Sequence, residues 1–168
     1  MDEMIIRSAA DADMDEILRI MDGARAFQRQ CGFCQWDDGY PDRNVIAGDM
    51  DAGNAYVFIC GGLTAGYVCL AEGDAEYDRL ADTWGCRGRY GVVHRLAMAH
   101  EFRGKGLGDA MFRLIEEVFI NCGIDIVRAD TGKENQVMQR VLDRNGYIRR
   151  GYRLFVWGWR YAYEKYLH

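Results

Sequence analysis

The run YGVVHRLAMAHEFRGKGLGDAMFRLIEEVFINC, from Tyr90 to Cys122, constrains this chain more than any other part of it. It opens as a strand, with Val92, His94, Leu96 and Met98 toward one face and Val93, Arg95 and Ala97 toward the other. Glycine then recurs at positions 104, 106 and 108. From Gly106 to Cys122, Leu107, Met111, Leu114, Ile115, Val118, Phe119 and Cys122 fall on one face of a helix. Strand, glycine loop and long amphipathic helix in direct succession place the chain among α/β proteins.

The loop itself, EFRGKGLGDAMF, admits two readings. Glycine permits positive φ and lets a ligand approach the main chain closely. A helix start presents unpaired N–H groups and a partial positive charge, and Arg103 and Lys105 add formal charge. Together these make an anion site. The other reading is a glycine-rich turn before a helix. Two phosphate motifs fail on spacing. A P-loop needs a leading glycine and a Ser or Thr after its lysine, and both are missing around Gly104-Lys105-Gly106. A dinucleotide fingerprint counted from Gly104 or Gly106 ends on Asp109 or Met111 instead of glycine or alanine.

Around this centre the patterns alternate. MIIRSA reads as a first strand. A helix follows, carrying Met14, Ile17, Leu18, Met21, Ala24 and Phe27 on its apolar face. The turn-rich QWDDGYPDRN holds Pro41, the only proline, placed to open a helix running to about Ala52. AYVFICGGLTAGYVCLAE is a hairpin turning at Gly61-Gly62. DAEYDRLADTWG is a connection with a short helix, and GIDIVRADT is a strand. ENQVMQRVLDRNGY is a helix with Val137, Met138, Val141 and Leu142 as its expected buried face and Gly146 as its stop. The tail forms two aromatic strands turning near Gly158. With no repeat or linker, residues 1–168 are expected to form one domain.

The net charge of −5 argues against a general nucleic-acid binder, which needs basic surface to neutralise phosphates. No apolar run approaches the ~20 residues that span a bilayer, and the acidic start lacks a signal-peptide core. The expectation is a cytoplasmic protein without a membrane segment. Of six cysteines, Cys60 and Cys69 lie in strand-like runs as small hydrophobes. Cys31 and Cys34 form a CxxC that closes a helix and has no second ligand pair, so no metal is expected.

HRLAMAHEFRGKGLGDAMFRLIEE resembles motif A of the GNAT acetyltransferase superfamily, whose R/Q-x-x-G-x-G/A signature is met by Arg103, Gly106 and Gly108. DTGKENQVMQRVLDRNGY resembles motif B, in which an asparagine opens a helix that ends in glycine and an aromatic; Asn135, Gly146 and Tyr147 match. The order of elements is similar to the family's over essentially the whole chain. The resemblance implies a mixed α/β fold with a mostly antiparallel central sheet flanked by helices. It also implies acetyl-CoA as acyl donor. The main chain of Leu96, Ala97 and Met98 would bond the pantetheine arm. The N–H groups from Arg103 through Gly104, Lys105, Gly106 and Leu107 to Gly108 would hold the pyrophosphate, and the Asn135 side chain would touch the cofactor.

The implied reaction is direct attack of a primary amine, of a small molecule or a peptide, on the thioester. A base must take the amine's proton. Glu72, ending a strand, is the first candidate, and His94 is the second. Asp130, at the end of the next strand, could cap the loop before Asn135. Trp36, Asp37, Asp38 and Tyr40 offer an aromatic and acidic wall for a cationic acceptor, with Trp36 and Tyr40 as the binding candidates. The chain departs from the family at Leu142, where members often carry a tyrosine that protonates the leaving thiolate. Tyr147 is a weaker substitute. Leu142 keeps a second reading open, a non-catalytic acyl-CoA-binding sensor or regulatory module. A third is a nucleotide-phosphate protein. A homodimer through the aromatic tail strands is a further expectation.

Overall fold

A computed structural model describes residues 2–37 and 39–168; Asp38, one of the acids of the expected acceptor wall, lies outside the described residues. The strands form a seven-stranded sheet in the order β1-β2-β3-β4-β5-β7-β6. They are β1 (Met4–Ser8), β2 (Ala55–Cys60), β3 (Leu63–Glu72), β4 (Gly91–Met98), β5 (Ile126–Thr131), β6 (Ile148–Phe155) and β7 (Gly158–Tyr166). β1–β2, β2–β3, β5–β7 and β6–β7 are antiparallel, and β4–β5 is parallel. The helices are α1 (Met14–Gln30), α2 (Arg43–Asp51), α3 (Ala75–Arg79), α4 (Gly108–Asn121) and α5 (Gln136–Arg144). This is the mixed α/β, mostly antiparallel architecture expected from the sequence.

The chain divides into two compact units. The first comprises Met1–Leu70 and His94–Leu114. Its hairpin turns at Gly61 and Gly62, whose φ values of 59° and 76° are those of a two-residue primed turn. Ile17, Ile20 and Met21 of α1 and Ile46 of α2 pack with Val57, Tyr67, Ala97 and Ala99 into one buried cluster. Pro41 lies just ahead of α2 and does not open it; Asp42 is the cap, its carboxylate accepting from Val45 N–H at 3.0 Å.

The second unit comprises Ala71–Val93 and Ile115–His168. Its centre is Tyr77, fully buried and stacked on Trp84 at 5.1 Å between ring centroids, with Tyr90, Val92, Ile126, Phe155 and Ala162 around it. Asp74 caps α3 by accepting from Glu76 and Tyr77 N–H. α5 ends at Arg144 with Asn145 as its cap, and Gly146, with φ of 82°, turns the chain out of the helix.

Three expectations need correction. α4 runs from Gly108 to Asn121 and not from Gly106 to Cys122: Gly106 has φ +72°, outside the helical region, and Cys122 lies past the helix end and is exposed, while Phe112 is buried in its place. Val137 is 45% exposed; α5 buries Leu142 completely and leaves Met138 and Val141 half-buried. The alternation of β4 also breaks at Arg95, which has φ +53°. No helix among the described residues is long and apolar enough to cross a membrane.

Candidate active site

The glycine loop and the His94–Met98 end of β4 lie together in the first unit. After β4, a 3-10 turn over His100–Phe102 closes with Arg103 N–H donating to His100 C=O at 3.2 Å. Gly104 and Gly106 then both take positive φ, 75° and 72°. A Cβ built on either would meet nothing within 4 Å, so the conformation demands glycine while the space beside it is open. Met111 N–H donating to Leu107 C=O at 3.0 Å begins the α4 ladder. The main chain ahead of that bond, Gly108 included, carries the positive end of the helix.

Each of the loop's two cations lies over an aromatic ring. The Arg103 guanidinium lies 4.6 Å from the centroid of Phe27, half-buried, and burial pushes its pKa below the usual arginine value. The Lys105 ammonium lies 5.7 Å from the centre of Phe102 and the residue stays exposed. Open glycines, a helix start and two nearby cations fit a pyrophosphate. The Arg103 N–H, already bonded to His100, is the least available of the expected amides.

β4 is distorted immediately before its predicted cofactor-binding run, Leu96–Met98. Arg95 is the one described residue other than glycine with positive φ, at a cost of about 1 kcal/mol for an L-residue. Its side chain shows what holds it. Nε donates to Asp49 Oδ2 at 2.9 Å and Nη2 donates to Asp49 Oδ1, a two-pronged grip on a buried carboxylate. The fully buried Tyr67 donates its O–H to the same Oδ2 at 2.6 Å. Burial opposes the Arg95 charge, but the Asp49 bonds and charge, together with the nearby Cys69 and Tyr40, outweigh it and raise the pKa. Burial raises Tyr67 and pushes the neighbouring Cys69 thiol up to about 12. Gly66 on β3 lets β4 approach closely, since a Cβ there would stand 2.6 Å from Ala97 O and 2.8 Å from Met111 Cε.

Arg95 also reaches the expected acceptor loop. Its Nη1 donates to the Tyr40 hydroxyl at 3.2 Å. Tyr40 is further pinned by its N–H on Asp37 C=O at 3.0 Å and by Arg25 Nη1 on its own C=O at 3.0 Å, while 38% of the residue remains exposed. Trp36 is half-buried against the first unit's core, and its N–H donates to Gln28 Oε1 at 3.0 Å. Tyr40 and Leu96 are thus joined through Arg95. Asp49, Tyr67 and Arg95 were not singled out from the sequence. Asp49 resembles a solvated helix acid by its spacing, and nothing in a strand pattern marks a positive φ.

The other candidates are placed as follows. His94 is half-buried on β4. Glu72, in the second unit, is exposed and gripped by Arg89, whose Nη2 donates to its Oε2 at 3.1 Å. That hydrogen bonding holds its carboxyl below the usual carboxylate range. Asn135 caps α5, its Oδ1 accepting from Met138 N–H at 3.2 Å. Asp130, expected to cap the loop before Asn135, accepts from Tyr77 O–H at 2.5 Å and from Trp157 Nε1–H at 3.0 Å. Tyr147 is buried, and burial, with Glu116 nearby, raises its phenol well above the usual value. Cys31 and Cys34 are exposed free thiols.

A family model described as the acetyltransferase (GNAT) family matches residues 23–147. Among solved structures, an acetyltransferase of the GNAT family from Streptococcus agalactiae is 34% identical, with 97% of this chain and 95% of that one covered and a TM-score of 0.86. Two more distant likenesses concern the fold alone. One is AAC(6')-Ib in complex with ribostamycin and coenzyme A, 17% identical, covering 98% and 94% of the two chains at TM-score 0.75. The other is yncA from Salmonella typhimurium with its cofactor acetyl-CoA, 19% identical, covering 99% and 95% at TM-score 0.67. No curated protein matches by sequence.

Proposed function

The chain belongs to the acetyltransferase (GNAT) family, and from that premise we propose that it moves an acetyl group from acetyl-CoA to a primary amine of a small molecule or peptide. The observation that carries this reading is the open pair of left-handed glycines, Gly104 and Gly106, at the start of α4. Backbone donors and the helix end there suit a pyrophosphate. An extended, amide-bearing pantetheine arm can pair with the main chain of Leu96, Ala97 and Met98 as an added strand. The side chain of Asn135 is the remaining cofactor contact implied by motif B. Complexes with acetyl-CoA or coenzyme A in proteins of like fold support the same donor.

On the acceptor side, Trp36 and Tyr40 supply aromatic surface, with Asp37 beside them. A cationic amine suits such a wall, and it must lose a proton before it can attack. Glu72, kept ionised by Arg89, and His94 are the groups proposed to take that proton. The amine nitrogen bonds to the carbonyl carbon, the carbon–sulfur bond breaks, and the thiolate leaves. A non-catalytic acyl-CoA-binding module is the second reading. The observation favouring it is Leu142, fully buried where a thiolate-protonating tyrosine is common in the family.

The deciding experiment is a melting curve with acetyl-CoA, followed by thiol release with a panel of amines. Both readings expect a higher Tm with acetyl-CoA. Thiol release with an amine supports the enzyme, and a shift without release supports the module. No shift with any acyl-CoA overturns both. A shift with ATP or NAD alone supports a nucleotide-phosphate protein instead.

A further inference from the structure

The family's usual acid position is the buried apolar Leu142, so the thiolate's proton must come from elsewhere if it is donated at all. We propose that the Tyr40 hydroxyl is the general acid that protonates the leaving thiolate, and that Arg95 is the positioning residue that aims it. The inference rests on acetyl-CoA being the donor.

Three observations carry it. The first is place. With the pyrophosphate at Gly104–Gly108, an extended arm running back along β4 passes Met98, then Ala97, then Leu96. A strand advances about 3.3 Å per residue, so the thiol end of the arm arrives at the Arg95 end of that run. Arg95 is where β4 leaves extended geometry, and its guanidinium holds Tyr40.

The second is proton direction. A phenol has one proton and two lone pairs. The Tyr40 oxygen accepts an N–H from Arg95 at 3.2 Å, so its own proton is available to an acceptor other than Arg95. The residue is partly exposed yet anchored through Asp37 and Arg25, so the donor is fixed without being sealed off.

The third is charge. When Tyr40 gives up its proton, the phenolate left behind keeps a charge-assisted bond from Arg95. Asp49 and the O–H of Tyr67 hold that guanidinium in one orientation. The groups around the cluster are Arg95 on β4, Asp49 on α2, Tyr67 and Cys69 on β3, and Arg25 on α1, which binds the backbone carbonyl of Tyr40. The step balances. The carbon–sulfur electron pair goes to sulfur, the Tyr40 proton follows it, and Tyr40 regains a proton from solvent.

The test uses Tyr40→Phe, which removes one partly exposed oxygen, and titrates the thiol of bound CoA. Thiolate absorbance is followed against pH, with the desulfo-CoA complex subtracted. In the natural protein the Tyr40 donor favours thiolate. In Tyr40→Phe the thiolate-to-thiol ratio at a given pH falls about tenfold, the worth of one hydrogen bond to a charged group, while CoA affinity is unchanged. Arg95→Lys, with its fork lost, gives an intermediate shift. With an amine that turns over, kcat in Tyr40→Phe falls about 100-fold at constant acceptor KM. CoA bound equally well with identical thiol titrations overturns the role of Tyr40 and leaves the transferase reading standing. A raised acceptor KM with unchanged titration also overturns it, making Tyr40 a binding residue only. Absence of CoA binding by the natural protein overturns both.

Discussion

Arg128 of β5 donates Nε–H to Oε2 of Glu164 of β7 at 2.8 Å, with the two residues only 5% and 0% exposed. The other oxygen of Glu164 accepts from Gly85 N–H, Cys86 N–H and Arg150 Nε–H at 2.8, 3.1 and 3.0 Å. The guanidinium of Arg128 lies 4.0 Å from the centre of the Tyr90 ring and 4.6 Å from that of Trp84. The carboxylate thereby ties the 85–86 segment and β6 to the β5–β7 pair.

Breaking that pair leaves a buried charge without its partner, which costs about 3–5 kcal/mol. Glu164→Leu is therefore expected to lower unfolding free energy in urea by that amount, and Arg128→Met by a similar amount. The pH dependence has a definite sign. Burial alone would raise the Glu164 pKa, but Arg128 and the backbone donors win and depress it below 4.5. Its stabilisation is thus complete above the ordinary glutamate range and is lost as pH falls through the depressed native value. Glu164→Gln should flatten the acid limb of a stability–pH curve. An unchanged acid limb would show that other carboxylates control it.

Gly66 and Gly91 make a contrasting pair. A Cβ on Gly91 would lie 2.3 Å from Phe119 Cε1, and one on Gly66 would lie 2.6 Å from the backbone oxygen of Ala97. Each alanine substitution overpacks and is expected to cost about 1–3 kcal/mol. The first should be relieved by Phe119→Leu, since a side chain is the obstacle. The second cannot be relieved by trimming Met111, because the main chain of Ala97 also blocks it. Gly66→Ala should accordingly weaken acetyl-CoA binding along with stability. Full rescue of Gly66→Ala by Met111→Ala in urea unfolding would contradict this.

The strands, the helices and the glycine loop were legible because each follows from local pattern. The Gly61-Gly62 turn, the stop at Gly146 and the α4 face from Leu107 to Phe119 need only neighbouring residues to specify them, whereas Cys122 continues the spacing past the helix end and is exposed. What escaped depends on distant partners. Asp49 reads as a surface acid until Arg95 and Tyr67 converge on it. Arg95 reads as an ordinary strand residue until its grip on Asp49 supports a left-handed backbone. Val137 has the right spacing for a buried face, but α5 turns that position outward. Buried charge networks and strained residues have no period, so a pattern of hydrophobicity does not announce them.

At Gly106, two substitutions separate backbone strain from ligand exclusion. Alanine adds a Cβ that meets nothing within 4 Å but must adopt φ +72°. It should cost about 1 kcal/mol of stability and leave a reduced acetyl-CoA melting shift. Glutamate adds bulk and negative charge on the open side of the loop and should abolish the shift. A Gly106→Glu protein with a normal melting curve and an undiminished acetyl-CoA shift would show that the pyrophosphate lies elsewhere.

Glu72 and His94 as alternative bases are separated by substitution and by the partner that Glu72 has in Arg89. Arg89 beside Glu72 depresses its pKa below 4.5. If Glu72 takes the amine's proton, its own protonation cannot limit kcat/KM until pH drops below that ordinary value. Arg89→Met should then move the acid limb upward, because the favoured charged form loses its partner. Glu72→Gln should lower kcat by about 100-fold or more, with acetyl-CoA affinity unaltered because Glu72 lies outside the glycine loop. An acid limb that Arg89→Met leaves in place does not belong to Glu72, and a large loss of kcat in His94→Gln would then assign proton removal to His94. Turnover that survives both Glu72→Gln and His94→Gln would assign proton removal to solvent.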